Sequence, residues 1–469
     1  MRWTVARKSQ NIFLCDSCGA ESSRWEGRCS KCGDWNTLKE FSAARLGGSG
    51  RTWAGLSGTE VVRLGEVRSE NQPRLTFRSA ELTRVLGGGM VRGSVILLAG
   101  DPGIGKSTLL LDVASDAVQG GGALYVTGEE SPEQVKLRAD RLGVDADGLY
   151  LLPTTSLSEI LAQVEILKPA LVIVDSIQTV FDEKLPSEAG STSQIRECAR
   201  QLTQWAKLSS ASVILAGHVT KSGDIAGPRV LEHVVDVVLH IEGDPVSSFR
   251  LLRAIKNRFG STNEVGVFEM TEQGMRDVPD PSAHMLALHV SGSVGSVIVP
   301  SVEGSRAVLV EVQALTNPSL LPTPRRVASG VDYNRMLLIC AVLTRRAGIS
   351  LASQDVIVNA TGGMRVSDPA ADLGIALAIV SSVRNAPLGH RLAAVGEMGL
   401  SGEVRSVSQL QRRVQEAARL GIETCIVPRT RGADFDSLLD GDTDVAPVTT
   451  LREAIGLGIR KSDPQGVPV

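Results

Sequence analysis

The chain has 469 residues, 42% of them hydrophobic and 22% charged, an ordinary globular composition at a length that one core cannot serve. A net charge of −3 excludes a basic surface over the whole chain, so any nucleic-acid contact has to be a local patch. Neither a secretory h-region nor an apolar run long enough to cross a bilayer occurs, which points to a cytoplasmic protein without a membrane partner.

The first signal along the chain is Cys15-Asp-Ser-Cys18 and Cys29-Ser-Lys-Cys32, two C-x-x-C knuckles with ten residues between them. Four thiolates at this spacing suit a structural zinc ion, because they leave no open coordination position for water. A redox dithiol or a disulfide pair is the rival reading, disfavoured in a reducing compartment. Residues 1–40 are therefore expected to be a zinc-finger domain folded by its metal, with Trp25 and Trp35 as its aromatic filling. Residues 41–72, rich in Gly, Ser and Arg over their first half, read as a linker.

Residues 73–280 carry alternating strand and helix signals, as a mostly parallel sheet covered by helices requires. Arg74 to Leu86 has helical spacing and stops at Gly87-Gly88-Gly89. Val95 to Ala99 is an apolar strand feeding Gly100-Asp101-Pro102-Gly103-Ile104-Gly105-Lys106-Ser107-Thr108, and a helical stretch follows from Leu109. This is the G-x-x-x-x-G-K-[ST] pattern in the one context where it has physical meaning. The glycines let backbone N–H groups approach the phosphates of ATP, Lys106 reaches the β and γ oxygens, and the Ser107 hydroxyl takes Mg²⁺. Leu171-Val-Ile-Val-Asp175 is a second apolar strand, closing on a carboxylate that orients Mg²⁺. Glu129 and Glu130 end the strand Ala123 to Thr127, and spacing does not choose between them. His218 ends another buried strand, where a polar side chain lies beside the ligand crevice and can sense the γ-phosphate. The strand Phe249 to Ile255 delivers Lys256-Asn-Arg258-Phe-Gly260, whose two cations point to one side and suit a clamp on phosphate charge acting between subunits.

The four-cysteine knuckle, the P-loop core and the pentapeptide Lys-Asn-Arg-Phe-Gly, in this order, resemble the RadA (Sms) family of bacterial DNA-repair proteins over nearly the whole chain. The resemblance implies a RecA-like ATPase that forms a homo-oligomeric ring, a hexamer, on single-stranded and branched DNA. It further implies branch migration and helicase activity on recombination intermediates, with RecA recombinase as a candidate partner. By the same likeness Glu129 activates the attacking water, Lys256 and Arg258 reach a neighbouring subunit's nucleotide or the DNA, and the loop from Thr220 to Arg229 contacts DNA.

Residues 281–460 read differently, with short β-runs broken by Gly and Ser from Ala283 to Val312 and a helix over Val331 to Thr344. Gly362 to Gly374 and Gly396 to Gly402, with the helix Gln409 to Leu420, resemble the α+β proteolytic domain of Lon, which uses a Ser–Lys dyad. In this chain the serine position falls on Ala370 or Ala371 and the lysine position on Arg413. A methyl group cannot attack a carbonyl, and a guanidinium cannot act as the general base. The domain is therefore expected to be proteolytically inactive, with Arg405, Arg412 and Arg413 free to face DNA, and residues 461–469 form a tail. An ATP-dependent Lon-type protease is thus the disfavoured alternative to a DNA motor; an ATP-gated DNA scaffold without translocation shares every ATP-site residue.

Overall fold

The computed structural model describes residues 12–15, 21–22, 24–41, 74–144, 147–218, 228–243, 248–287, 289–290, 292–363, 365–430 and 443–459. Cys18, the linker beyond residue 41, the loop residues 220–227 and the tail 461–469 lie outside the described residues.

Strands β1 (Ile12–Cys15), β2 (Glu21–Ser22) and β3 (Leu38–Phe41) form an antiparallel sheet in the order β2-β1-β3. Cys15, Cys29 and Leu38 are its buried residues, with Phe13 against them. Trp25 and Trp35, expected as the filling, are instead 58% and 70% exposed. A sheet this short encloses its thiols and little else.

The phosphate-loop region is built from α1 (Ala80–Val85), β4 (Val95–Gly100), α2 (Lys106–Ala117), β5 (Ala123–Thr127), α3 (Pro132–Leu142), β6 (Leu149–Pro153), α4 (Leu157–Leu167), β7 (Leu171–Asp175), α5 (Thr192–Ser209), β8 (Ser212–His218), α6 (Pro228–Leu231) and β9 (Val237–Glu242). Its strands are parallel and lie in the order β9-β4-β8-β7-β5-β6. β4 is buried throughout and β7 up to Val174, which is why both read as unbroken apolar runs. The helix expected over Arg74 to Leu86 is shorter. Ser79 caps α1 by accepting from the Leu82 N–H, and Leu75 forms an antiparallel bridge with Met90 instead.

The two compact units interleave in sequence rather than meeting at one cut near residue 280: the second unit includes 242–253 and 263–271 as well as everything from Arg276. The reason is side-chain alternation on β10 (Phe249–Asn257) and β11 (Val265–Thr271), an antiparallel pair. Phe249, Leu251, Val265 and Val267 all bury themselves in the second unit's core.

That core lies against a seven-stranded mixed sheet. After β12 (Gly274–Asp277) and α7 (Pro281–Ala287), the chain forms β13 (Ser296–Glu303), β14 (Arg306–Pro318), β15 (Arg326–Ser329), α8 (Tyr333–Val342), β16 (Gln354–Ala360), α9 (Asp372–Arg384), β17 (Leu392–Ala394), β18 (Glu397–Met398), β19 (Val404–Arg405), α10 (Leu410–Arg419), β20 (Thr424–Pro428), β21 (Asp444–Val448) and α11 (Leu451–Gly458). The sheet order is β15-β16-β14-β13-β17-β20-β21. Where short broken strands were expected from Ala283, the structure has a helix and then a long hairpin, paired without a break from Ser296↔Gln313 to Glu303↔Arg306.

Candidate active site

The parallel register brings four chemically useful strand ends to one edge. Gly100 lies opposite His218 on β4 and β8, and Thr127 opposite Asp175 on β5 and β7. From Gly100 the chain turns through the phosphate loop into α2, whose N-cap Gly105 sits at φ 115°, a left-handed conformation that a side chain would strain. α2 opens with no side-chain cap and no acid in its first turn, so its N–H groups and positive dipole end are uncompensated by the chain. This arrangement fits a triphosphate. Lys106 is buried, and its Nζ donates to the carbonyls of Gly100 (2.8 Å) and Asp101 (2.9 Å). An ammonium has three donors, so one remains for a phosphate oxygen. Burial lowers the Lys106 pKa, against the opposing pull of the Asp175, Asp101 and Glu129 carboxylates.

The acids at this edge are held by residues that sequence reasoning missed. Tyr125, 1% exposed on β5, donates from Oη to Asp175 Oδ2 at 2.6 Å. Burial pushes its phenol pKa well above the usual value, and the Asp175 charge adds to that. The bond fixes one oxygen of the carboxylate. Ser176 donates from Oγ to Glu129 Oε1 at 2.5 Å, and His218 Nε2 lies 3.4 Å from the same oxygen. Glu130 faces elsewhere: Arg138 pairs with its carboxylate at 2.5 Å, and its N–H donates to Thr127 Oγ1. His218 Nδ1 and Gln178 Oε1 are buried at these strand ends with no partner among the described residues, so polar demand at this edge is unmet by the chain itself. Ser176 is legible as the residue after the strand-ending Asp175; Tyr125 sits inside an apolar run and reads as core.

Lys256 and Arg258 lie at the opposite edge of the sheet. Arg258 pairs with Asp236 at 3.0 Å, and Asp236 accepts from the N–H of Val95, the first residue of β4. Lys256 Nζ donates to the carbonyls of Glu232 (2.5 Å) and Val235 (2.8 Å). Its pKa is lowered by burial, with Arg258 adding to that. The six residues of β4 separate this edge from the phosphate loop by about 17–20 Å at a strand rise of about 3.3 Å. Neither cation reaches the phosphate loop of its own chain. Arg74 holds the motif in place, donating to the carbonyls of Gly87 (2.8 Å) and Phe259 (3.2 Å).

In the ribbon, the Cys15, Cys29 and Cys32 sulfurs lie within 4.8 Å of one another, and Cys15 and Cys32 are 3.6 Å apart. Tetrahedral Zn–S bonds of about 2.3 Å require S···S edges of about 3.8 Å, so the cluster fits zinc.

In the second unit the two dyad positions meet at Asp368. Its carboxylate pairs with Arg413 Nη1 at 2.6 Å and accepts from the Ala370 N–H at 3.0 Å. Arg413 also donates to the carbonyls of Pro300 (2.8 Å) and Ser408 (2.9 Å) and is 1% exposed. Arg413 is therefore not placed to face DNA: a buried guanidinium tied to a partly buried carboxylate and two carbonyls is a structural strut. Arg405 pairs with Glu403, and Arg412 donates to the Ser305 carbonyl and Gln409 Oε1. Among the described residues of this unit, Ser296 Oγ and His289 Nδ1 converge on Glu311 Oε1, at 2.5 and 3.0 Å, so the serine's proton is directed at the acid rather than at a base.

The chain is 45% identical to DNA repair protein RadA of Bacillus subtilis, over 96% of this chain and 98% of that protein. To the RadA of Pseudomonas aeruginosa it is 49% identical, over 90% and 93%. The chain belongs to the RadA family. The RadA of Escherichia coli is 45% identical, over 90% of this chain and 94% of its own length. Within this family frame, residues 65–224 match an AAA domain, residues 13–40 a rubredoxin metal-binding domain and residues 338–431 subunit ChlI of Mg-chelatase. The cofactors are ATP, Mg²⁺ and Zn²⁺, as the AAA and ribbon matches and the cysteine cluster indicate. The second unit is a Lon-like domain. Among the described residues no helix is long and apolar enough to cross a membrane.

Proposed function

We propose that this RadA-family chain is a DNA-dependent ATPase of recombinational repair, a branch-migration motor and helicase working as a hexameric ring on single-stranded and branched DNA in the cytoplasm, with RecA as a partner. The observation that carries the reading is the separation of its two halves: phosphate loop and acids at one edge of the sheet, Lys256 and Arg258 at the other. A site whose transition-state cations lie about 17–20 Å from its own phosphates is completed by an adjoining subunit, which couples turnover to assembly.

Within the site, residues Gly100, Asp101, Pro102, Gly103, Ile104, Gly105 and Thr108 form the loop around the phosphates, and Lys106 neutralises charge on their oxygens. Ser107 and Asp175 would hold Mg²⁺, which would supply further charge neutralisation on the phosphates. Glu129 takes the proton of the attacking water, and Ser176 orients Glu129 by its hydrogen bond. Glu129 is favoured over Glu130 because Arg138 already occupies the latter. His218, whose Nε2 lies 3.4 Å from Glu129 Oε1, senses the γ-phosphate. Proteolysis is disfavoured: Ala370 has no nucleophile, and Arg413 is committed to Asp368.

The test is ATP turnover with and without forked DNA, alongside displacement of a labelled strand. DNA should raise turnover and the strand should be released, and Lys106→Ala should abolish both. A wild-type protein that hydrolyses ATP while ignoring DNA and moving no strand would contradict the motor.

A further inference from the structure

The zinc ribbon exposes two indoles that its own fold does not use. Trp25 is 58% and Trp35 70% exposed, and both rings converge on Gly27, where an added Cβ would sit 3.8 Å from each. The chain is held in this shape by the antiparallel bridge Arg28↔Trp35 and by the Asn36 N–H donating to the Gly27 carbonyl at 2.8 Å. Arg28 lies over the Trp35 ring, 5.9 Å from its centroid, and is anchored by a hydrogen bond to the Gly33 carbonyl at 2.6 Å. The side chain of Arg24 is 81% exposed and pairs with Glu26 at 3.0 Å, and Lys31 is exposed as well.

Composition points the same way. Residues 1–58 hold nine Lys and Arg against five Asp and Glu, a net +4 in a chain whose total is −3, and the excess flanks the ribbon, whose residues 12–41 hold four against five. They also hold four of the five tryptophans, Trp3, Trp25, Trp35 and Trp53. Aromatic faces set among cations in an otherwise acidic protein match a polyanion whose bases have free π-faces, since base–indole stacking is tolerant of sequence and cations track the backbone.

We propose that Trp25 and Trp35 form a stacking platform for the bases of single-stranded DNA, with Arg24, Arg28 and Lys31 beside the phosphates. The proposal rests on the DNA reading above and adds a grip at the ribbon, apart from the nucleotide site. Adjacent indoles take successive bases, and Gly27 leaves the space between them open.

The experiment uses the full zinc-loaded chain and single-stranded oligothymidylate, read by anisotropy of a labelled strand and by quenching of intrinsic tryptophan fluorescence. Trp25→Ala with Trp35→Ala should weaken binding about 10- to 100-fold and remove most of the quenching. Trp25→Phe with Trp35→Phe should keep most of the affinity, because phenyl rings still stack. Zinc content of one per chain in both variants shows that the ribbon is folded. If the double-alanine variant keeps its zinc and binds the strand like wild type, the platform is overturned while the DNA reading stands; the indoles then face a protein partner. If the wild type itself fails to bind any DNA, the DNA reading falls and the platform with it.

Discussion

Tyr125 carries more of the nucleotide site than its place in the sequence announces. A phenol donating to a carboxylate at 2.6 Å is a charge-assisted bond, of a kind that contributes about 1.5–3 kcal/mol. Tyr125→Phe keeps the ring in the core and removes only this bond. The Mg²⁺ concentration for half-maximal binding of a non-hydrolysable ATP analogue should therefore rise about tenfold, as read by an Mg²⁺ titration. An unchanged titration would mean that Asp175 needs no tether. The same logic applies to Arg413, with a structural outcome. Arg413→Ala leaves the Asp368 carboxylate short of its cation in a largely buried setting, so the second unit's denaturant transition should fall by about 3–5 kcal/mol. A loss of less than about 1 kcal/mol, the value of a surface pair, would contradict the strut. Lys106 and Asp175, and the Ala370 and Arg413 that stand at the dyad positions, are candidates from spacing alone. Tyr125 is not, because what makes it matter is Asp175 on the neighbouring strand, which only register supplies.

Among the helices, α2 joins the phosphate loop to the sheet and carries a carboxyl whose titration reports on its packing. Burial raises the Asp112 pKa from 3.8 to about 6; Arg78 opposes this and Asp116 adds to it. Asp112 binds its proton more tightly in the folded than in the unfolded state. Its contribution to stability is therefore fully present below the unfolded pKa and is lost as pH rises through the folded one. Asp112→Asn should raise the melting temperature at about pH 8 and leave it nearly unchanged at about pH 4. An equal effect at both pH values would show that Asp112 does not titrate this way. α3 carries local signals at both ends, with Ser131 and Gln134 forming a capping box around Pro132 at its start and Gly143 closing its end. The start of α1 was not legible. Apolar residues from Leu75 onward have helical spacing, yet the Leu75–Met90 bridge captures the first of them, a long-range pairing that local period cannot reveal. The β13–β14 hairpin was missed for a related reason: Gly and Ser look like breaks in a short window, whereas eight paired residues on a buried face outweigh them.

Over the whole chain, the domain sequence was readable because each part has its own chemistry: thiols at knuckle spacing, a glycine loop between strand and helix, and a dyad fold without its dyad. The interleaving of the two units was not readable, since it depends on which faces of β10 and β11 are buried. The central claim is that Lys256 and Arg258 serve a phosphate loop on another copy of the chain. Mixing two inactive proteins tests it most directly. Lys106→Ala keeps both cations but has no working phosphate loop, and Lys256→Ala with Arg258→Ala keeps the loop but has no cations. Each alone should hydrolyse ATP at no more than background on forked DNA. Their equimolar mixture should recover a clear fraction of wild-type turnover, because one kind of interface pairs an intact loop with intact cations. A mixture no more active than its parts, or full activity of the Lys256→Ala/Arg258→Ala protein alone, would contradict the account.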